Sequence, residues 1–525
     1  MFRVLSAFLI TGLALFGNPV FAASLWINES KLNASDAAEF GSFGSSVAIS
    51  GDTLVVGAAE EGTNSGSAYV FVRSGETWTE QQELIASDNI SSDNFGISVA
   101  IDGNTVVVGA GRDDDAGSAS GSAYVFVRSG GTWAEQAKLT ASDAAAGDLF
   151  GSSVAISGNL VVVGAWSDDD GGSQSGSAYV FVRSGTSWME EAKLTASDAA
   201  AGDLFGESVA ISGDTVVVAS IFDDNPSEDM GSAYVFVREA DNTWTEQAKL
   251  TANDAAGIRL FGDSVAISGD TVVVGARGVR KFSGAAYIFV RTGTTWAQQK
   301  KLTASDGAKN DFFGFSVGIS GDTAVVGAYS NDDAGSDSGS AYVFVRSGTS
   351  WKQQTKLTAH DAAAFDDYGW SVAVSGETVV VGALADDDGG GNSGSAYVYK
   401  LTPNSFQGTL TGKAFCLNSS GTGQKIPVKR ITTVSVDTLQ SPLITAVVRL
   451  DGFSDPFTLT GMALLKNPKS GVLQLFGTDG GSTELALSGT IKLNKKTREW
   501  ASLKGEIQLL LAGTHCTFAG KFTAK

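Results

Sequence analysis

The chain has 525 residues, of which 65 are Gly and 2 are Cys. A hydrophobic content of 43% with 9% aromatic residues excludes a disordered chain, and the wide separation of its two histidines, His360 and His515, disfavours His-based metal sites and Ser-His-Asp catalysis. The net charge is −21 although residues 403–525 carry +7, so the body of the chain is strongly acidic, which argues against a nucleic-acid partner.

Residues 1–22 have the pattern of a secretory signal peptide. Arg3 supplies the positive charge, an apolar run extends from Val4 to Phe16, and Val20-Phe21-Ala22 provides a small-residue cleavage site. The alternative is a membrane anchor, for which this run is short. The sequence therefore predicts a secreted, periplasmic or cell-surface protein, with no transmembrane segment in the mature chain.

One motif recurs seven times along the chain. Each copy starts with an aromatic residue followed by Gly, 52 to 56 residues after the previous one. The aromatic residues are Phe43, Phe95, Phe150, Phe205, Phe261, Phe313 and Tyr368. In the third copy the pair is followed by an alternating segment (Ser153 to Ser157), a Val-rich run (Val161 to Ala165), a third apolar segment (Ala178 to Arg183) and a final segment (Trp188 to Leu194).

These segments predict four β-strands in each copy. The alternating segment suits a half-buried strand, whereas the Val-rich run suits a strand buried on both faces. Gly-Asn and Gly-Asp pairs lie between the first two segments, where a tight hairpin needs positive φ; examples are Gly158-Asn159, Gly213-Asp214 and Gly321-Asp322. Four strands in each of seven copies predict an all-β, seven-bladed β-propeller, with a linear solenoid as the alternative.

The two ends of the repeat region favour a closed ring. Trp26 to Leu32 precedes the first copy and matches the fourth strand of the others, with Trp six residues before Leu, as in Trp133 and Leu139. The seventh copy ends at Lys400 without a fourth strand of its own. We predict that the N-terminal strand completes the last blade, an arrangement for which a solenoid has no reason.

The repeat resembles that of the FG-GAP family, best known from the propeller of integrin α-subunits. The resemblance covers residues 24–402 and rests on Phe-Gly at the head, Val-Val-Gly-Ala in the second strand and Gly-Ser-Ala-Tyr-Val-Phe in the third. It implies a propeller, assigned here to residues 23–402, with a role in adhesion or recognition. Other residues replace the Pro of the family name, namely Ala59, Gly111, Trp166, Ile221, Arg277, Tyr329 and Leu384.

Calcium is the cofactor that the acidic loops predict. The spaced Asp loop that holds calcium in some integrin blades is absent, so no ligand carries over from that family. Triple-Asp loops nevertheless follow the second strand of three copies, and Ca²⁺ prefers 6–8 hard oxygen ligands. Alternate side chains of an extended loop share a side, so the predicted ligands are Asp113 with Asp115, Asp168 with Asp170, and Asp386 with Asp388. The alternative is that these carboxylates solubilise the rim and cap turns.

Variable positions near the predicted channel mouth are candidate ligand contacts. Trp166 and Tyr329 follow the second strand, and Trp370 follows the seventh aromatic-Gly pair. Such aromatics stack on sugar rings or anchor protein partners; the alternative is packing between blades. The fifth copy also has a basic loop where its neighbours are acidic. Its Arg277, Arg280 and Lys281 form either a ligand-contact patch or salt bridges to adjacent acidic loops.

The repeat stops at Pro403, and residues 403–525 predict a small antiparallel β domain, a sandwich or a barrel. Cys416 and Cys516 are predicted to form a disulfide because an exported chain meets an oxidising compartment; the alternative is two buried thiols. The strands are predicted at residues 409–415, 443–450, 457–465, 485–493 and 507–511.

Together these features predict an exported, monomeric, non-enzymatic binding or adhesion protein. Its acidic propeller face would recognise a protein or surface ligand, assisted by calcium. A carbohydrate-binding propeller is the alternative. A hydrolase acting on polysaccharides or phosphoesters is disfavoured, because no copy carries a distinctive nucleophile, His or metal cluster.

Overall fold

The structure is a computed structural model. It describes residues 26–402, apart from 62–64, 89, 225–229, 255–259 and 280, and, beyond residue 402, the backbone of the strands. The predicted signal peptide, residues 1–22, lies outside the described residues. The described chain divides into two compact units, Ile27–Leu401 and the strands that follow Thr402.

The first unit consists of seven four-stranded antiparallel sheets, which are the blades of a β-propeller. The chain enters with β1 (Trp26–Leu32). Blade 1 comprises β2 (Phe43–Ser50), β3 (Thr53–Ala58), β4 (Ser67–Ser74) and β5 (Thr77–Leu84). Blade 2 comprises β6 (Phe95–Asp102), β7 (Thr105–Ala110), β8 (Ser122–Ser129) and β9 (Thr132–Leu139). Blade 3 comprises β10 (Ser153–Ser157), β11 (Leu160–Ala165), β12 (Ser177–Ser184) and β13 (Ser187–Leu194).

The remaining blades follow the same order. Blade 4 comprises β14 (Phe205–Ser212), β15 (Thr215–Ser220), β16 (Ser232–Arg238) and β17 (Trp244–Leu250). Blade 5 comprises β18 (Phe261–Ser268), β19 (Thr271–Ala276), β20 (Ala285–Thr292) and β21 (Thr295–Leu302). Blade 6 comprises β22 (Val317–Ser320), β23 (Thr323–Ala328), β24 (Ser340–Ser347) and β25 (Ser350–Leu357). Blade 7 comprises β26 (Tyr368–Ser375), β27 (Thr378–Ala383), β28 (Ser395–Thr402) and the entering strand β1.

Strand β1 closes the ring, as the sequence predicts. It pairs with β28 in a sheet whose order is β1-β28-β27-β26. Blade 7 also meets blade 1 directly, through a parallel bridge between Phe43 and Gly394. Leu32 and Phe43 are buried in one cluster with Val380 and Val398 of blade 7. The two chain ends of the propeller therefore share a hydrophobic core, which excludes an open solenoid.

The core lies between the facing surfaces of neighbouring blades. The second strands, such as β11, are buried along their whole length, as their Val runs predict, apart from the half-buried Thr323 at the start of β23. Each head aromatic packs on two rings of the third strand; the centroid of Phe150 lies 5.4 Å from that of Tyr179 and 6.0 Å from that of Phe181. These tilted and edge contacts are the geometry that aromatic quadrupoles favour.

Two kinds of glycine set the geometry of the ring. The hairpin glycines have the predicted positive φ, for example 59° at Gly158. The glycine near the end of the second strand serves a close approach instead. A Cβ added at Gly164 would lie 2.0 Å from the carbonyl oxygen of Gly206 in the next blade. Blade 4 carries Ala219 at this position, so its contact with the next blade is less close.

The first strands of neighbouring blades contact one another, so they line the centre of the ring. The loops from second to third strand and from fourth strand to the next blade open on one face, together with the start of each first strand. We call the ring of residues that follow the aromatic-Gly pairs and the second strands the mouth. Its members differ from blade to blade, whereas the outer loops repeat.

The second unit is one antiparallel sheet. Its strands are β29 (Ser405–Phe406), β30 (Gly408–Leu417), β31 (Gly423–Ile426), β32 (Ile431–Asp437), β33 (Leu443–Leu450), β34 (Phe457–Asn467), β35 (Ser470–Thr478), β36 (Thr483–Leu493), β37 (Trp500–Leu511) and β38 (Thr514–Ala524). The sheet order is β29-β32-β33-β34-β35-β36-β37-β38-β30-β31. The pairing of β30 with β38 places the backbone of Cys416 directly opposite that of Cys516. The disulfide itself stays a prediction, because these side chains lie outside the described part of the structure.

Candidate functional site

The outer loops of the mouth-bearing face converge on lysine ammonium groups. In blade 2, Nζ of Lys138 in β9 lies 2.7 Å from Oδ2 of Asp88 and 2.9 Å from Oδ2 of Asp113, and it also bonds to Asp115. The hydroxyl of Tyr124 lies 2.8 Å from Asp88 Oδ1 and 2.7 Å from Asp113 Oδ2. The same ammonium lies 5.1 Å from the centroid of the Tyr124 ring. We call this arrangement a rim cluster.

The rim cluster recurs in six blades, each with an ammonium over the ring of a third-strand tyrosine. The lysines, from blade 2 to blade 7, are Lys138, Lys193, Lys249, Lys301, Lys356 and Lys31. Each pairs with the aspartate of the loop that enters its blade, namely Asp88, Asp143, Asp198, Asp254, Asp306 and Asp361. In blades 2, 3, 4, 6 and 7 the lysine also bonds to the loop between the second and third strands, so the cluster ties two loops and two strands together at the edge of these blades. In blade 5, Val279 stands at the position of that loop acid.

In the rim cluster of blade 2, hydrogen bonding between opposite charges outweighs the effect of burial on the pKa values of Lys138 and Asp88. Burial by itself lowers the pKa of Lys138, but the hydrogen bonds to Asp115, Asp88 and Asp113 raise it above its ordinary value. Burial likewise acts to raise the pKa of Asp88, and the hydrogen bonds from Lys138 and Tyr124 lower it overall. Asp88 and the Lys138 ammonium therefore stay ionised at neutral pH.

The predicted calcium ligands all belong to rim clusters. Asp113 and Asp115 converge on one point, as the alternation of an extended loop requires, while Asp114 turns away and accepts a hydrogen bond from the amide of Ala119. The same arrangement holds Asp168 and Asp170 on Lys193, and Asp386 and Asp388 on Lys31. These oxygens are close enough to hold a metal ion, but a lysine ammonium lies among them. Calcium at these three places stays a prediction.

The mouth carries a different kind of cluster on one side. Phe315, Tyr329 and Trp370 come from blades 6 and 7, and their ring centroids lie 4.6 to 5.1 Å apart. Phe312 stacks on Tyr329 at 5.3 Å with an interplanar angle of 5°. The Arg277 guanidinium of blade 5 lies 5.1 Å from the Phe315 centroid. We call these five side chains the mouth cluster.

A buried carboxylate orients the arginine of the mouth cluster. Nε of Arg277 lies 3.2 Å from Oδ2 of Asp263, whose side chain is 5% exposed. Burial raises the pKa of Asp263 to about 7, against the opposing charge of Arg277. Burial also raises the pKa of Glu207, which lies within the field of the same guanidinium. The arginine therefore lies between carboxylates on one side and an aromatic face on the other, which restricts its motion.

Comparison with known proteins identifies the repeat. The model of the FG-GAP repeat matches residues 26–71, 78–126, 133–181, 188–236, 244–289, 296–344 and 351–399, together more than half of the chain. The chain belongs to the FG-GAP repeat family. Each match begins at the Trp of a fourth strand and ends in the third strand of the following blade, so the seven matches include every strand of the ring. No curated protein matches the chain.

The FG-GAP propeller brings some of the predicted ligand contacts together and separates others. Arg277, Tyr329 and Trp370 meet in the mouth cluster. Trp166 is half-buried in blade 3 and joins none of the ring contacts found among the described residues. Lys281 is exposed, and Arg280 lies outside the described residues. The basic loop thus contributes one residue to the mouth, and that residue pairs with an acid of its own blade.

Several residues of these clusters are not among the site residues that the sequence predicts. The rim lysines and the tyrosines beneath them recur in the Lys-Leu and Ala-Tyr-Val-Phe segments, so their periodicity was visible. Their convergence on the acidic loops was not, because it depends on the register of third and fourth strands, such as Tyr124 opposite Lys138. Phe312 had a weaker signal, namely an aromatic residue directly before the sixth Phe-Gly pair.

One further finding concerns membranes. Within the described residues, no helix has the length and apolar character needed to cross a bilayer.

Proposed function

We propose that this FG-GAP propeller is an exported, non-enzymatic binding protein that recognises a protein or surface ligand through its mouth-bearing face. The family supports a role in binding or adhesion. The observation that carries the finer proposal is the mouth cluster. Arg277, Tyr329 and Trp370 are far apart in the sequence, and in the structure they lie together on one side of the mouth.

The composition of the mouth cluster suits a protein ligand. Binding hot spots are enriched in Trp, Tyr and Arg because these side chains offer large rigid surfaces with polar edges. Tyr329 and Trp370 are half-buried, and each is held by neighbouring rings, so little conformational entropy remains to be lost on binding. The acidic rim around the mouth would steer a partner with a basic surface towards it.

Export and calcium form part of the proposal. The signal-peptide pattern of residues 1–22 supports export. Calcium at Asp113 and Asp115 would have to displace the Lys138 ammonium from between these carboxylates. Calcium assistance therefore predicts ligand binding that depends on Ca²⁺ concentration, and binding that is the same in chelator and in millimolar Ca²⁺ would contradict it.

The test measures binding of the labelled mature protein to intact cells that retain their surface proteins. We expect saturable binding that is lost after protease treatment of the cells and weakened at least about tenfold, or 1.4 kcal/mol, in Trp370→Ala. Trp166→Ala is the matched control, because Trp166 lies on the same face outside the mouth cluster. Equal binding by Trp370→Ala and the parent, with both variants folded, would contradict the proposal.

A carbohydrate ligand is the second candidate. It is favoured by the aromatic faces of Tyr329 and Trp370 and by the half-buried Asp367, whose charge acts on Tyr329 and whose carboxyl group would accept hydrogen bonds from sugar hydroxyls. A glycan array separates the two candidates. Signals lost in Trp370→Ala would support the carbohydrate, and a blank array together with protease-sensitive cell binding would exclude it.

A further inference from the structure

Two exposed phenylalanines interrupt the repeat in the loops that enter the blades. Phe40 lies three residues before the aromatic residue that starts blade 1, and Phe365 lies three residues before the one that starts blade 7. Their side chains are 56% and 62% exposed. Together with Phe282 of blade 5, they are the only exposed aromatic side chains among those that the structure describes. All three lie in loops of the mouth-bearing face.

Both phenylalanines occupy a backbone position that disfavours them. Their φ angles are 64° at Phe40 and 72° at Phe365, in the left-handed region where most residues with a Cβ are strained. The equivalent residues of blades 2, 3, 4 and 6 also have positive φ; they are Ser92, Gly147, Gly202 and Asn310. Gly and Asn tolerate this conformation best. An exposed ring gains little burial to offset the strain, so stability does not explain either phenylalanine, and a function at these positions does.

Each phenylalanine is held on the preceding blade, on the loop between its second and third strands. The N–H of Phe365 donates to the carbonyl oxygen of Ser336 in blade 6 at 2.8 Å. The N–H of Phe40 donates to the carbonyl oxygen of Gly391 in blade 7, also at 2.8 Å. The chain continues from Phe365 to Trp370 of the mouth cluster. The two rings are therefore presented on anchored backbone, at neighbouring blade junctions on the side of the mouth that holds this tryptophan.

Exposed carboxylates accompany the two rings. Asp332 lies in the loop that holds Phe365, Asp387 lies in the loop that holds Phe40, and Glu39 directly precedes Phe40; all three acids are exposed. The rim lysines of blades 6 and 7 pair with neighbouring aspartates instead. In the described part of the chain, none of the three carboxylates forms an ion pair with a lysine or an arginine. We call the two phenylalanines and these three acids the outer patch.

We propose that the outer patch binds a segment of the partner protein that combines apolar with basic side chains. The apolar side chains would cover the two rings, whose surface is otherwise in contact with water. The basic side chains would meet the unpaired carboxylates, which repel an anionic partner. This inference rests on the proposed function and deepens it, because it adds a second contact surface beside the mouth cluster and specifies the chemistry of the partner.

The test measures binding of the labelled mature protein to intact cells, with Phe40→Gly and Phe365→Gly combined in one variant. Gly147 and Gly202 occupy the same position in blades 3 and 4, so this variant should melt no lower than the parent. We expect it to bind at least about fivefold more weakly. Ser92→Gly is the matched control at the equivalent position of blade 2, and its binding should equal that of the parent. Parent binding should also weaken as salt is raised from about 0.05 to 0.5 M, because salt screens the attraction between opposite charges.

Three results would overturn the proposal. These are unchanged binding in the double phenylalanine variant, parent binding that does not depend on salt, and parent binding to phosphatidylcholine vesicles that the double variant loses, which would make the partner a lipid surface. Failure of the proposed function gives a different result, namely equal binding by Trp370→Ala and the parent. Loss of binding in Trp370→Ala together with full binding in the double variant would contradict the outer patch alone.

Discussion

The rim and the mouth of the propeller lie on one face, but the residues of the rim repeat from blade to blade whereas those of the mouth vary. At the rim, six blades repeat one arrangement of a lysine, a tyrosine and an entering-loop aspartate. At the mouth, the residue that follows the aromatic-Gly pair differs between neighbouring blades. Examples are Ser45, Ile97, Glu207 and Trp370. Only the blade 5 to 7 side holds an aromatic and cationic group among the described residues.

This difference separates stability from recognition. In blades 2, 3, 4, 6 and 7 the rim cluster holds two loops against the blade, so the same residue types have the same structural role around most of the ring. A mouth side chain mainly contacts its own blade and the next, as Tyr329 contacts Phe315 and Trp370. It therefore changes without disturbing the rest of the ring. We expect rim variants to change the melting temperature and variants of the mouth cluster to change ligand affinity.

Removing the closing strand should have the largest effect on the ring. Deletion of residues 24–36 removes β1, and with it Leu32 from the core shared by blades 7 and 1 and Lys31 from its rim cluster. We expect the melting temperature to fall by about 10 °C or more. Thermal unfolding followed by circular dichroism measures this effect. A truncated protein that melts like the parent would mean that β1 does not close the ring.

A single rim lysine should have a smaller but distinct effect. Lys193→Gln leaves Asp168, with its side chain 4% exposed, without its ammonium. Breaking a buried ion pair costs several kcal/mol, and the exposure of Asp170 reduces this to an expected loss of about 2 kcal/mol. Lys281→Gln, at an exposed position, is the control. Ligand affinity should not change, so weaker binding in a folded Lys193→Gln protein would contradict the separation of rim and mouth.

A half-buried acid beside the mouth, Asp367, should give the smallest effect, and one that depends on pH. Burial and the charges of Asp337 and Asp366 raise the pKa of Asp367 to about 7. Since this residue ionises near pH 4 in the unfolded chain, the folded state loses stability as pH rises from about 4 to 7. Asp367→Asn removes that loss, and Asn fits the left-handed backbone there, as Asn94 does in blade 2.

We therefore expect Asp367→Asn to melt about 2 °C above the parent at pH 8 and close to it at pH 4. Differential scanning calorimetry at both pH values measures the difference, with the exposed Glu76→Gln as a control. An equal shift at both pH values would show that the ionisation of Asp367 is not its cause.

The ring can be predicted from the amino-acid sequence alone. The seven aromatic-Gly pairs fixed the number of blades, the Val runs fixed the buried second strands, and Trp26 to Leu32 identified the closing strand. These features are local or periodic, so they are visible without contacts. Periodicity was less informative after residue 402, where β32, β35 and β38 mix apolar residues with Gly, Ser and Thr and were not among the predicted strands.

The contacts of the acidic loops and the grouping of the mouth residues depend on the tertiary fold. Asp113 and Asp115 suggest a metal in the sequence, but the register of β8 and β9 brings Lys138 to them. Arg277, Phe315 and Trp370 lie in three different repeats, and the rotation from blade to blade places them side by side. A residue's contacts across blades depend on ring geometry, which the residue types at one position do not encode.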